Sequence, residues 1–147
     1  MHAFLAHLHD AGFGGAPRPL GVDAAGREVL TYLPGTVPWP DRFDLLGPDA
    51  ALRRVGRLVR DLHDAAASFT PPPGAVWRRL IPPDGTDLVL HHDLAPWNLV
   101  VGDRWAFIDW DTAAPGTRLW DLAYAAKAFV PLTADPAWQR PDAARRL

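Results

Sequence analysis

Apolar residues recur along this chain with two periods, and each period marks a kind of element. Phe4, Leu5 and Leu8 share one helical face over residues 3–11, and Gly12 supplies a C-terminal stop. Residues 14–19 read as a loop. LGVD and REVLTYL, on either side of AAG, read as two short strands around a glycine-containing turn. LPGTVPWP, residues 33–40, carries three prolines in eight residues and belongs to no regular element. The strongest helical pattern covers residues 48–69. There Leu52, Val55, Leu58, Val59 and Leu62 recur at three- and four-residue spacing, with Arg53, Arg54, Arg57 and Arg60 opposite. TPPPG, residues 70–74, ends it. DLVL (87–90) is a short strand, and NLVV and WAFID, joined by GDR, form a β-hairpin. Leu119, Leu122, Ala123, Ala126, Phe129 and Val130 mark a further helix, and residues 136–147 a last one. The pattern predicts an α+β, mostly helical chain without internal repeats.

Composition narrows the class. A chain of 147 residues fits one domain, and one of this size buries roughly 70% of its unfolded surface. An apolar fraction of 48% with seven tryptophans is ample for a core. The 15 basic and 17 acidic residues are scattered, so no nucleic-acid footprint is expected. There is no cysteine, which removes disulfides and thiolate metal sites and suits a cytoplasmic location. MHAFLAHLHD lacks the basic-then-apolar pattern of a leader. No apolar run approaches the roughly 20 residues that span a bilayer, so no membrane contact is expected.

Chemistry concentrates in LHHDLAPWNLVVGDRWAFIDWD, residues 90–111. Antiparallel pairing of the hairpin sets Asn98, at the start of its first strand, near Asp109, at the end of its second. Asp93 precedes Asn98 by five residues in a loop stiffened by Pro96. Three oxygen-bearing side chains thus converge at one end of the hairpin. One or two protein oxygens, completed by phosphate and water, suit Mg²⁺. The bland alternative is that Asp and Asn simply cap turns at strand ends. His92 reads as a loop residue, and His63, on the apolar face of the long helix, as a core histidine. The arginine run reads as a solvated helix face. Trp97 either packs on the hairpin or lines a substrate cleft, and Asp111 either faces a cationic substrate or solvent. GFGG, residues 12–15, is not a phosphate loop: Pro17 stands where a third glycine is needed, and no strand precedes it.

His91-x-Asp93-x-x-x-x-Asn98, followed by Asp109 after an apolar strand, resembles the catalytic and metal-binding loops of aminoglycoside phosphotransferases and related small-molecule kinases. HHDLAPWN matches the His-x-Asp…Asn pattern, and FIDWD the metal-binding loop. The resemblance covers most of the chain and implies a protein-kinase-like fold. Residues 1–33 would be a remnant of the N-lobe with the hinge, a helix and two short strands. Residues 34–40 would be a proline-rich linker, and residues 41–147 a C-lobe, incomplete at its end, built around the catalytic-loop hairpin.

That resemblance also implies roles. Asp93 would orient the acceptor hydroxyl and take its proton. Asn98 and Asp109 would hold Mg²⁺ on the phosphates of ATP or GTP. His91 would brace the loop, and Asp121 would anchor it from a helix below. The backbone of Thr31, Tyr32 and Leu33 would meet the adenine edge, with Val100 and Ile108 as an apolar floor. Asp111 and Trp97 are candidate substrate contacts. The implied reaction moves a γ-phosphate to a hydroxyl of a small molecule.

The chain departs from the family pattern in its cations. Fourteen of the 15 basic residues are arginine, and the one lysine, Lys127, follows Asp109. The family's strand lysine and phosphate-covering loop, which stabilise the transferring phosphoryl group, are therefore not matched. The expectation is a truncated phosphotransferase, or one whose N-lobe comes from a second chain or a homo-oligomer. The alternative is a non-catalytic scaffold or interaction module. A third reading, a metal-dependent phosphohydrolase, rests on the pairs His9-Asp10, His63-Asp64 and His92-Asp93. It expects its histidines on helices, whereas His91 and His92 follow a strand.

Overall fold

Ala51, Val55, Val59, Leu62 and Ala66 repeat at three and four residues, which puts them on one face of helix α2 (Asp49–Ala66). All five are buried, and the four arginines of the same helix are exposed. This stripe is the spine of the core. Phe4, Leu5 and Leu8 of α1 (His2–Asp10) close over it from one side. Phe107, Leu90, Leu99 and Phe129 close over it from the other. His7 ties the two helices at their ends, its Nε2 lying 3.0 Å from the carbonyl of Ala65.

The computed structural model describes residues 1–78, 82, 85–130 and 132. After α1 come β1 (Pro19–Val22) and β2 (Glu28–Leu30), then α2. There follow β3 (Leu88–Leu90), β4 (Leu99–Val100), β5 (Ala106–Phe107), β6 (Ala114–Gly116) and α3 (Arg118–Phe129). The strands form antiparallel pairs β1–β2, β3–β6 and β4–β5 among the described residues. The fold is mixed α+β, with three helices and short two-stranded sheets among those residues. The last helix expected, over residues 136–147, lies outside the described residues.

Local chemistry explains the turns. Gly12, at φ +82°, ends α1 in the left-handed conformation that glycine adopts without a Cβ clash. In the β1–β2 turn, Asp23 Oδ1 accepts the N–H groups of Ala25 and Arg27, each at 2.9 Å. The proline-rich stretch 33–40 makes one regular contact. Thr36 and Val101 exchange backbone hydrogen bonds of 2.8 and 2.9 Å, which lays the stretch along the hairpin. Gly35 allows that approach: a Cβ there would stand 2.6 Å from the Val101 carbonyl oxygen.

Two features lie beyond the apolar pattern. In α3 the buried face is Asp121, Ala125 and Phe129, whereas Leu119 and Leu122 are exposed at 70% and 47%. The helix is rotated so that the Asp121 carboxylate faces inward, and satisfying that charge outweighs burying two leucines. The strand β6, APG, was not foreseen because its central proline argues against a strand. It pairs with β3 through the register Leu88↔Gly116 to Leu90↔Ala114 and is an edge strand.

Leu62 has no exposed surface. Leu62→Ala is expected to lower folding stability by about 2–5 kcal/mol, measured by chemical denaturation.

Candidate functional site

The site begins with a buried charge. Asp121, with no exposed surface, stands on α3 beneath the loop that follows β3. Its Oδ1 accepts the N–H of His92 at 2.9 Å, and its Oδ2 the N–H of His91 at 3.3 Å. His63 Nε2 from α2 reaches the same Oδ2 at 3.3 Å. A carboxylate taken out of water is tolerated only with such donors around it. The loop backbone is therefore fixed by the acid below it.

His91 locks the same loop to the hairpin. Its Nε2 lies 3.0 Å from the carbonyl oxygen of Ile108, and its Nδ1 lies 3.3 Å from the N–H of Asp93. One ring nitrogen must donate and the other accept, which defines the neutral Nε2–H tautomer. Burial lowers its pKa in agreement, although the charges of Asp121, Asp93 and Asp109 and the bond to Ile108 pull the other way. His92 adopts φ +66°, and its ring bonds the carbonyl of Ala114 at 3.0 Å. The ring packs so tightly over Gly116 that a Cβ there would come within 2.8 Å of it.

Asp93 is thereby held in reach of Asn98. The Asn98 amide nitrogen donates to the carbonyl of Asp93 at 3.0 Å and to its Oδ2 at 2.7 Å. Only the NH₂ end of the amide can face two acceptors, so Oδ1 is the atom left for a cation. The β4–β5 register, Leu99↔Phe107 and Val100↔Ala106, continues through a bond from the Ile108 N–H to the Asn98 carbonyl at 2.9 Å. Asn98 and Asp109 thus flank the same end of the hairpin. Asp109 is exposed and left-handed, at φ 58° and ψ 66°, a conformation that Asp adopts more readily than most residues.

Two aromatic side chains complete the surroundings of Asp93. Trp97 donates its indole N–H to Oδ2 at 3.3 Å and keeps 40% of its surface exposed. Tyr124, from α3, bonds the same carboxylate. Burial first, then that bond and the Asp93 charge, push its phenol up to about 12. Tyr124 escaped the sequence reading. Its one signal was position: three residues after Asp121, it shares that helix face.

The other expected residues are more scattered. Val100 is buried beneath Gly35, whose Cβ would lie 2.7 Å from its Cγ1, and Ile108 is half-buried. Thr31 and Leu33 are half-buried on the far side of β2, while Tyr32 is 86% exposed. Asp111 is exposed in the short turn after Asp109, next to Thr112, whose hydroxyl bonds the His91 carbonyl at 3.0 Å. A groove of about 720 Å³ lies elsewhere, between residues 11–15 and the arginine face of α2. A smaller hollow of about 420 Å³ lies between Leu33–Gly35 and the hairpin turn. GFGG is the rim of the larger groove and the stop of α1, as read from sequence.

The histidines are engaged by protein. His63 bonds Asp121, His91 bonds Ile108 and His92 bonds Ala114. Among the described residues no group of three or more His, Asp or Glu side chains is placed to hold a metal ion. The geometry does not favour a phosphohydrolase site built on histidines. Among those residues, too, no helix is long and apolar enough to cross a membrane.

The chain has recognisable relatives. A model described as the phosphotransferase enzyme family matches residues 1–75 and 74–146. The trifolitoxin immunity protein of Rhizobium leguminosarum bv. trifolii is 35% identical over 130 residues, which are 84% of this chain and 48% of that protein. The chain spans about half the length of that curated relative. No solved structure matches.

Two titrations check the site. The folded chain resists protonation of His91, whose ordinary pKa is 6.5, whereas the unfolded chain accepts it. Below that value the unfolded state binds more protons, so stability should fall as pH drops below about 6.5. His91→Gln should flatten the slope of denaturation midpoint against pH. The chain has two tyrosines. With Tyr32→Phe in place, the remaining phenol absorbance should titrate near 12, and Asp93→Asn should move it down.

Proposed function

The chain belongs to the phosphotransferase enzyme family, and we propose that it transfers the γ-phosphate of ATP or GTP to a hydroxyl of a small molecule. The observation that supports this best is the gathering of Asp93, Asn98 and Asp109 around one hairpin end, with the Asn98 amide locked 2.7 Å from the Asp93 carboxylate. In this reading residues 1–33 hold the N-lobe part and hinge, residues 34–40 the linker, and residues 41–147 the C-lobe. A family member acting on alcohols also needs what this chain lacks, a lysine ahead of the site. A second chain carrying a lysine and phosphate loop would supply it.

Each residue then has a task. The substrate hydroxyl hydrogen-bonds Asp93. Its oxygen attacks the γ-phosphorus, the bond from that phosphorus to the β–γ bridging oxygen breaks, and the nucleoside diphosphate leaves with those electrons. The hydroxyl proton passes to the Asp93 carboxylate. Asp93 positions the nucleophile more than it activates it, since phosphoryl transfer rests mainly on alignment and charge neutralisation. Asn98 Oδ1 and the exposed Asp109 carboxylate are hard oxygen donors of the kind that suits Mg²⁺ and would hold such an ion at the phosphates. Such an ion neutralises charge on the phosphates. The Thr31–Leu33 backbone meets the nucleobase, with Val100 and Ile108 below it. His91 and Asp121 only hold the loop.

The relative is named for immunity to trifolitoxin. Phosphorylation of a hydroxyl-bearing toxin is one route by which such a chain would protect a cell. A second reading is favoured by one observation: the only lysine, Lys127, sits exposed on α3 after the site. On that reading the chain is a non-catalytic, kinase-like scaffold that binds its partner without transfer.

Calorimetry tests the nucleotide site on which the first reading rests, and phosphate-transfer assays with Asp93→Ala separate the two. Wild type should bind ATP in a Mg²⁺-dependent way, and Asp109→Asn should weaken that binding about tenfold, the loss of one charged ligand. Absence of Mg²⁺-dependent binding in wild type would remove the phosphotransferase reading for this chain.

A further inference from the structure

The carboxylate proposed to meet the acceptor is bordered by aromatic rings. Trp97 is tied to Asp93 by its indole N–H, 3.3 Å from Oδ2, yet 40% of its surface faces solvent. Trp39 meets it edge to face, with ring centroids 6.0 Å and planes 76° apart. Phe43 meets Trp39 in the same manner, at 5.6 Å and 81°. Tyr124 approaches Asp93 from α3. Rings thus come from three separate parts of the chain, the 33–40 stretch with the turn after it, the Asp93 loop, and α3.

This arrangement has a physical direction. The hydrogen bond holds the indole N–H edge of Trp97 at the acid while 40% of the residue stays open to solvent. A ligand with a matching apolar face would cover that exposed ring and take it out of water. A polyaminated sugar would instead need several unpaired acids. Among the described residues at this end of the hairpin, Asp111 is the further exposed acid beside Asp93, which serves the hydroxyl, and Asp109, which is assigned to the cation.

Resting on the phosphotransferase reading above, we infer that the acceptor is a small alcohol with an apolar or aromatic face beside its hydroxyl. Trp97, backed by Trp39, is the platform on which that face lies, and Asp93 receives the hydroxyl.

The test uses the whole chain labelled with ¹⁵N, its Trp97 indole signal assigned through Trp97→Phe. 2-Phenylethanol should move that signal, and kanamycin should not. Trp97→Ala should weaken 2-phenylethanol binding about tenfold, as should Trp39→Leu to a smaller degree, while Trp97→Phe keeps most of it. Failure of 2-phenylethanol to move Trp97, or a shift with kanamycin alone, overturns the inference. The nucleotide is titrated separately, as a non-hydrolysable ATP analogue with Mg²⁺. If it does not bind while 2-phenylethanol still moves Trp97, the phosphotransfer reading falls and the aromatic platform stands as a ligand site. If it binds and 2-phenylethanol leaves Trp97 unmoved, the platform falls and the reading stands.

Discussion

Everything at the candidate site depends on one buried carboxylate. Asp121 gathers the backbone of His91 and His92 and the side chain of His63, and it has no contact with solvent. Leaving a buried carboxylate short of a donor is costly, so each of these bonds matters to the fold. They join three elements far apart in sequence: α2, the loop after β3, and α3. The rotation of α3, and with it the exposure of Leu119 and Leu122, follows from this demand. So does the position of Tyr124 against Asp93, one turn further along the same face.

Rigidity then passes from Asp121 outward through backbone geometry. His92 and Asp109 both have left-handed φ values, 66° and 58°, at the two points where the chain enters and leaves the site. At each a non-glycine residue is kept by compensating bonds around it. The His92 ring answers to Ala114, and the carbonyl of Ile108, just before Asp109, answers to His91. A loop of mostly short contacts can thus present Asp93, Asn98 and Asp109 in fixed relation without a large sheet behind it. The hairpin β4–β5 contributes two residues from each strand. Its small size matters little because the proline-rich stretch is bonded to its outer end at Thr36 and Val101.

Legibility in the sequence followed the strength of the local signal. Helix α2 and the stop at Gly12 were readable because periodicity and glycine act within a few residues. The meeting of Asn98 with the strand bearing Asp109 was readable too, since a hairpin sets register by its turn alone. The helix α3 was readable, but its buried face was not, because six apolar residues surround one aspartate in the pattern. Pattern does not weigh the free energy of an unpaired charge, and here that energy decided the orientation. β6 was invisible for a similar reason: the bonds that make APG a strand come from β3, more than twenty residues earlier. The double histidine was read from sequence as a loop brace and a loop residue, and in the fold both rings bond carbonyl groups.

On the phosphotransferase reading proposed above, Asn98 shows how tightly residue choice is constrained where cation and acid would stand side by side. An aspartate at that position would be the stronger ligand for a divalent ion. It would also set a second carboxylate where an amide nitrogen now lies 2.7 Å from Asp93 Oδ2. Two carboxylates that close share a proton, and one of them titrates far above the usual range. The acid meant to receive a proton would then already carry one, and the loop would lose the donor that aims it. The neutral amide resolves the conflict by offering nitrogen to one neighbour and oxygen to the other. At this site the weaker ligand leaves its neighbour free to act as a base.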